Sequence, residues 1–227
     1  MAPKEALADS GILTEKQKQF LELLGGEPYF YQHYYFTGGT PLAAFYLQHR
    51  LSEDIDLFST EEVHMPSVRT FLKKIEGPLN IKKIDYRQFV GLHSFQLSFS
   101  DTDILKIDFN YYPFERIEKG MKYKNIPVDS ILDIAVNKVQ TITTKPRARD
   151  FIDIYFIIKE KNYSFYELLK YARNKFDWPN DPLQIATRLF LATEVKDFPH
   201  MIKKIDHAEW QNFFVEEARK LKPEIME

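Results

Sequence analysis

The sequence predicts a mixed α/β (α+β) chain with a small mixed sheet first and a C-terminal helical region after it. Three observations carry this. From about residue 36 to 112, apolar and polar residues alternate with the period of two that strands require, around one short helical stretch. From about residue 127 onward the apolar spacing becomes helical. Between the two patterns, Gly120 to Pro127 is polar and holds a glycine and a proline, so the chain divides into residues 1–125 and 126–227.

Taken in order, the elements have local reasons. Thr14 with Gln17 reads as a capping box, and Phe20, Leu21, Leu23 and Leu24 continue a helix that Gly25-Gly26 stops. The aromatic run YFYQHYYF, ending at Phe36, reads as a buried strand. Gly38-Gly39 turns the chain, Thr40 suits a helix cap, Pro41 suits the first helical position, and Leu42, Ala43, Phe45, Tyr46 and Leu47 make the short apolar helix. Asp54 and Asp56 bracket Ile55 in a strand pattern. FQLSF at 95–99 alternates, Ser100 to Asp103 turns, and ILKIDFNYY alternates again. Helical spacing recurs near 130–144, 147–160, 164–174, 182–196 and 207–221, with Lys145-Pro146 and Asp181-Pro182 placing proline in a first turn.

Composition narrows the function classes. The chain has 227 residues, 44% of them hydrophobic, with 19 Phe and 13 Tyr, so a core can form. The absence of cysteine excludes disulfides, zinc–thiolate sites and cysteine nucleophiles, and fits a reducing compartment. The leading MAPKEALADSG lacks an apolar signal core, and no apolar run, Ile154 to Ile158 included, is long enough for a bilayer. The expectation is a soluble cytoplasmic protein with no membrane partner. A net charge of −2 argues against a surface that coats nucleic acid all over.

The chemistry concentrates in FTGGTPLAAFYLQHRLSEDIDLF, residues 36–58. Glycines ahead of a helix bare backbone N–H groups to an anion, and the helix dipole favours negative charge there. With the Thr40 hydroxyl, Gly38 and Gly39 form a candidate triphosphate cradle; the plain alternative is a tight turn. Asp54 and Asp56, two apart on a strand, aim both carboxylates at one face while Ile55 and Leu57 face the core. Adjacent carboxylates repel, and a divalent cation relieves them; the alternative is a solvated acidic edge strand. Asp108 sits on the polar face of its own strand with Lys106 and Asn110, opposite Leu105, Ile107 and Phe109. If that strand neighbours the one bearing Asp54 and Asp56, three carboxylates converge, enough for two Mg²⁺ ions in phosphoryl transfer. Asp101 and Asp103 are turn residues and rank lower.

In the helical half, Lys138 lies on the apolar stripe of Ile131, Ile134, Ala135, Val139 and Ile142, so it must snorkel or meet an anion. Asp150 and Asp153 border or enter a segment that is apolar nearly all round and need partners; Arg149 can pair with Asp153 at i+4. Arg50 ends the short helix as structural support and can neutralise neighbouring aspartates, and His49 packs. Lys145 and Arg147 either touch RNA phosphates or line a solvated loop.

The residues quoted resemble a known family. Gly38, Gly39, Thr40, Leu42, Leu47, His49, Arg50, Ser52, Asp54, Ile55, Asp56, Leu57 and Phe58 match the pattern of AbiEii/AbiGii abortive-infection nucleotidyltransferases, within the DNA polymerase β-like superfamily. Pro41 departs from that pattern, harmlessly at a first helical position. Lys138, Arg149, Asp150, Asp153 and Tyr155 match the family's second block. The resemblance implies a polymerase β-like fold and a metal-dependent nucleotidyltransferase with Asp54, Asp56 and Asp108 as catalytic and metal-holding residues. Gly38, Gly39, Thr40, Ser52, Lys138 and Asp153 would bind nucleotide, and Arg50, Arg149 and Asp150 would support them. It implies Mg²⁺ or Mn²⁺ as cofactor and an NTP as substrate, with transfer of NMP to a hydroxyl or amine. It further implies a toxin-antitoxin or phage-defence role, RNA such as tRNA as acceptor, and a cognate antitoxin as partner. Two other functions remain open: a small-molecule, aminoglycoside-like nucleotidyltransferase, marked by an acidic acceptor pocket, and a non-catalytic nucleotide-binding module, marked by binding without turnover.

Overall fold

The computed structural model describes residues 11–177 and 181–222; the first ten residues, read above for targeting, lie outside them. The chain forms two compact units, one from residues up to 46 and 52–130, the other from residues 47–51 and from 131 on. The hairpin at 122–127 thus stays with the first unit, and five residues of the motif region go to the second.

The first unit is built on a five-stranded mixed sheet. Its strands are β1 (Tyr35–Thr37), β2 (Ile55–Ser59), β3 (Lys83–Phe89), β4 (Leu92–Ser98) and β5 (Ile104–Tyr111), in the order β1-β2-β5-β4-β3. Only β2 and β5 run parallel; the register sets Ile55 against Ile107, Asp56 against Asp108 and Leu57 against Phe109. The strict alternation of β2 and β5 sends Ile55, Leu57, Leu105, Ile107 and Phe109 into one buried cluster. Against that face pack α1 (Glu15–Gly25), α2 (Pro28–His33) and α4 (Met65–Glu76), contributing Phe20, Leu21, Leu24, Phe30, Val68, Phe71 and Leu72. A two-stranded hairpin, β6 (Lys122–Tyr123) and β7 (Ile126–Pro127), completes the unit.

Several local signals act as the sequence suggests. Thr14 and Gln17 form the capping box of α1. The aromatic run, expected as one strand, is mostly α2: Pro28 presets φ for a first helical turn, and only Tyr35–Thr37 pair with β2. The short apolar helix is a three-residue turn, α3 (Gly39–Pro41), that widens into a π-helical stretch over Leu42–Leu47 and stops at Gln48, where φ is 53°. Helix α4 was not singled out from the sequence, although Val68, Leu72 and Ile75 recur at helical spacing on its buried side.

The second unit holds α5 (Ile131–Thr144), α6 (Ala148–Lys161), α7 (Phe165–Phe176), α8 (Pro182–Phe190) and α9 (His207–Lys220). Asp181 caps α8 through a hydrogen bond from the Leu183 N–H, with Pro182 in the first turn. Pro146 lies just outside α6, whose cap is Arg147, so proline there directs the chain toward the helix and is not part of it. Residues 47–51 join this unit by main-chain bonds: Ile202 N and Lys203 N donate to His49 O at 2.8 and 3.0 Å, and Leu51 N donates to His200 O at 2.8 Å. Among the described residues no helix is long and apolar enough to cross a membrane.

Gln17 shows how the fold positions the segment before β2. It is fully buried, and its Nε2 donates to the carbonyls of Ser52 at 3.1 Å and Glu53 at 3.0 Å. Replacing Gln17 with Met keeps the volume and removes both donors, which should cost about 1–3 kcal/mol. Urea unfolding measures that loss, and hydrogen exchange should quicken at the amides of residues 53–55 before it does elsewhere.

Candidate active site

The pairing of β2 with β5 brings Asp56 and Asp108 face to face on neighbouring strands, on the face opposite the core. Asp54 lies one residue before β2 and stays partly exposed. Asp108 is buried, and its carboxylate accepts from Ser94 Oγ at 2.6 Å and from Lys106 Nζ at 2.7 Å. The same ammonium reaches Asp54 Oδ2 at 3.5 Å. Lys106 therefore stands among carboxylates that would otherwise repel. Burial works against its charge, but the hydrogen bond to Asp108 and the fields of Asp54, Asp108 and Asp56 outweigh it and leave the Lys106 pKa raised.

The glycine turn lies directly against this group. Gly38 has φ of 84°, a left-handed conformation that side chains resist, and a Cβ placed there would meet Asp56 Oδ2 at 2.5 Å. The turn thus presents bare backbone beside the carboxylate. Gly39 opens the helix. Thr40 differs from its expected use. It is fully buried and its hydroxyl contacts Ser52 Oγ at 2.9 Å and donates to the Asp54 carbonyl at 2.5 Å, so it ties the turn to the segment that leads into β2. Ser52 shares that bond network.

A hard-oxygen donor set of this kind suits Mg²⁺ or Mn²⁺. As they stand, no three Asp, Glu, His or Cys side chains among the described residues converge closely enough to hold a metal ion. The Lys106 ammonium is the stand-in cation, 2.7 Å from Asp108 and 3.5 Å from Asp54. By charge chemistry, the carboxylates fit the ion.

The second unit holds another charged cluster. Asp153 is fully buried and receives Arg50 through Nε at 2.7 Å and a second guanidinium nitrogen at 2.8 Å, His49 Nε2 at 2.6 Å, and Lys138 Nζ at 2.7 Å. Lys138 also meets Asp150 at 2.7 Å, and Arg147 meets the other oxygen of Asp150 at 2.7 Å. Lys138 thus meets anions instead of snorkelling. The expected Arg149–Asp153 pair does not form: Arg149 makes no ion pair among the described residues, because the Asp153 carboxylate turns into the core, where the bidentate fork of Arg50 satisfies it. Arg50 correspondingly serves Asp153, and Lys106 is the cation that serves Asp54 and Asp108. Arg147, read above as an RNA contact or loop residue, is engaged with Asp150. Burial pushes the Asp153 carboxyl up, but the charges of Arg50 and Lys138 and the bonds from Arg50 and His49 hold it well below the usual carboxylate range; Lys138 and Arg147 likewise lower Asp150.

Ser94, Lys106 and Gln17 were missed as site residues. For Lys106 the signal was present, since it shares a strand face with Asp108 two residues away. Ser94 and Gln17 act across strand pairing and helix docking, which alternation alone does not reveal.

Two results should follow. Lys106→Met removes the charge between Asp54 and Asp108 and should lower stability without metal by about 1 kcal/mol, less as salt rises, because the pair is partly exposed. Melting curves across ionic strengths, with Asp54→Asn as the compensating second change, test this. Asp153→Asn leaves Arg50 and Lys138 buried without their full partner and should cost about 3–5 kcal/mol in urea unfolding. With the folded pKa depressed, this carboxylate's contribution is complete above the unfolded value near 3.9 and drains away as pH falls through the folded value. Asp153→Asn should therefore flatten the dependence of stability on pH below about 4.

Comparison with known proteins adds to this geometry. A family model described as "Nucleotidyl transferase AbiEii toxin, Type IV TA system" matches residues 22–224. A crystal structure of a candidate nucleotidyltransferase from H. pylori superposes with a TM-score of 0.60 at 15% identity, covering 94% of this chain and 98% of that one. JHP933 from Helicobacter pylori superposes with a TM-score of 0.57 at 15% identity, covering 93% and 91%. At those identities the likeness speaks for the fold. No curated protein matches the sequence significantly.

Proposed function

The chain belongs to the AbiEii nucleotidyltransferase toxin family, and from that premise we propose that it moves an NMP from an NTP to a hydroxyl or amine of an acceptor, with RNA such as tRNA as the acceptor. The observation that carries this reading is the parallel register of β2 and β5, which sets Asp56 against Asp108 beside the bare backbone of Gly38. Its setting is a cytoplasmic toxin-antitoxin or phage-defence system with a cognate antitoxin.

In this reading the NTP phosphates lie at the Gly38-Gly39 turn, where main-chain N–H groups and the start of a helix favour negative charge. Asp54, Asp56 and Asp108 would hold the divalent ions. Bound there, Mg²⁺ or Mn²⁺ would neutralise charge building on the reacting phosphate and on the departing pyrophosphate. The acceptor oxygen attacks the α-phosphorus, the bond from that phosphorus to the bridging oxygen breaks, and pyrophosphate leaves. The acceptor's proton passes to the Asp108 carboxylate, which Ser94 orients. Thr40 and Ser52 serve by fixing the main chain at Asp54. For Lys138 and Asp153 the family resemblance supports a nucleotide role, with Asp153 holding the Lys138 ammonium in place; NTP affinity of Lys138→Ala tests it.

Asp56→Asn separates chemistry from folding. Neutralising one of several mutually repelling carboxylates should leave the metal-free melting temperature unchanged or slightly higher. The same change should lower transfer by about 10²-fold or more, since it removes a ligand for the ions that stabilise the transition state. The assay follows labelled NTP into purified RNA, beside melting curves with and without Mg²⁺–NTP. Full activity in Asp56→Asn would overturn the mechanism, and unfolding would make the Asp-x-Asp a structural feature.

A further inference from the structure

Strands β3, β4 and β5 floor a cavity of about 210 Å³ next to the aspartates, lined by Asp85, Arg87, Phe89, Ser94, Gln96 and Lys106. Its place follows from register. Asp56 pairs with Asp108, Asp108 with Ser94, and Ser94 with Arg87, so the four form one row across the sheet. At the other end of the row, Asp56 pairs with Thr37, the residue before the glycine turn. The order across the sheet is therefore glycine turn, carboxylates, cavity.

We propose that this cavity receives the 3′-terminal nucleotide of the acceptor RNA. The proposal rests on the transfer reading above. In an in-line displacement the attacking oxygen and the leaving pyrophosphate lie on opposite sides of the phosphorus. With the phosphates at the glycine turn, the acceptor must come from the far side of Asp56 and Asp108, where the cavity opens.

The lining selects the class of acceptor. Among the described residues the Arg87 guanidinium makes no ion pair, and it is exposed on an edge strand, available to a phosphate. Phe89 is 58% exposed and offers a ring face on which a base can stack. Gln96 adds a donor and an acceptor for a base edge. Asp85 is already held by Lys83 at 2.8 Å and Lys106 by Asp108 at 2.7 Å, so the uncompensated charge facing the cavity is that of Arg87. A polycationic small molecule would meet that cation, and the volume falls below the roughly 300–1,000 Å³ of drug-sized ligand sites. One nucleotide of a chain whose remainder lies outside suits both facts.

The test uses full-length protein carrying Asp56→Asn, without NTP so that no transfer occurs, and a short 5′-fluorescein single-stranded RNA with a free 3′-hydroxyl, read by anisotropy. Adding Arg87→Ala or Phe89→Ala should each raise the Kd about tenfold, about 1.4 kcal/mol. Arg87→Ala should also reduce the slope of log K against log salt by about 0.7, one phosphate contact to a single strand, and Arg87→Lys should restore it. In protein with native Asp56, Mg²⁺–NTP should raise the melting temperature equally with and without either substitution. Unchanged RNA affinity in both variants, with active protein still labelling RNA, overturns the cavity assignment and leaves the transfer reading intact. Label that passes to an aminoglycoside and to no RNA overturns the RNA reading and this proposal together.

Discussion

The first unit depends on one constraint: two carboxylates, Asp56 and Asp108, directly opposed on parallel strands. One strand spacing apart, unit charges repel by about 3 kcal/mol at an effective dielectric of about 20. The surrounding side chains respond to that. Lys106 inserts a positive charge, Ser94 donates to Asp108, and Gly38 gives up a side chain so that its backbone can lie against Asp56. Gln17 and Thr40 then hold the main chain of residues 52–54 so that the acidic group keeps its geometry.

The same strands supply the stability that tolerates this. Ile55, Leu57, Leu105, Ile107 and Phe109 are buried almost completely on the reverse face. Each fully buried side chain of that size contributes about 1.5–3 kcal/mol, so a few of them outweigh the repulsion. Register links the two faces. A slip of one residue in β5 would put Asp108 in the core and Ile107 among the carboxylates. Apolar burial therefore enforces the acidic geometry.

The second unit solves a different charge problem. Asp153 is buried and so needs full compensation, which the fork of Arg50, the ring of His49 and the ammonium of Lys138 provide. Removing any one member of such a cluster leaves a buried charge uncompensated, so its members depend on one another. It also accounts for the path of residues 47–51, which must bring His49 and Arg50 to Asp153 and are pinned by main-chain bonds to residues 200–203.

Much of this was legible in the residues. Period-two alternation in β5 separated Asp108 from Leu105, Ile107 and Phe109, and the Thr14–Gln17 cap and the long helices of the second half announced themselves, because each signal lies within one turn or one strand. The order GGT, helix, Asp-x-Asp and the second block with Lys138 and Asp153 pointed to the family for the same reason: their spacing is written along the chain. What only the tertiary structure decided depends on partners distant in sequence. That β2 lies parallel to β5, that Arg50 and not Arg149 reaches Asp153, that Lys106 bridges Asp54 and Asp108, and that Thr40 is committed to Asp54 all follow from strand order and core packing. A side chain's own sequence neighbourhood fixes which way it points, but the charge it meets there is set by whichever segment the fold brings alongside.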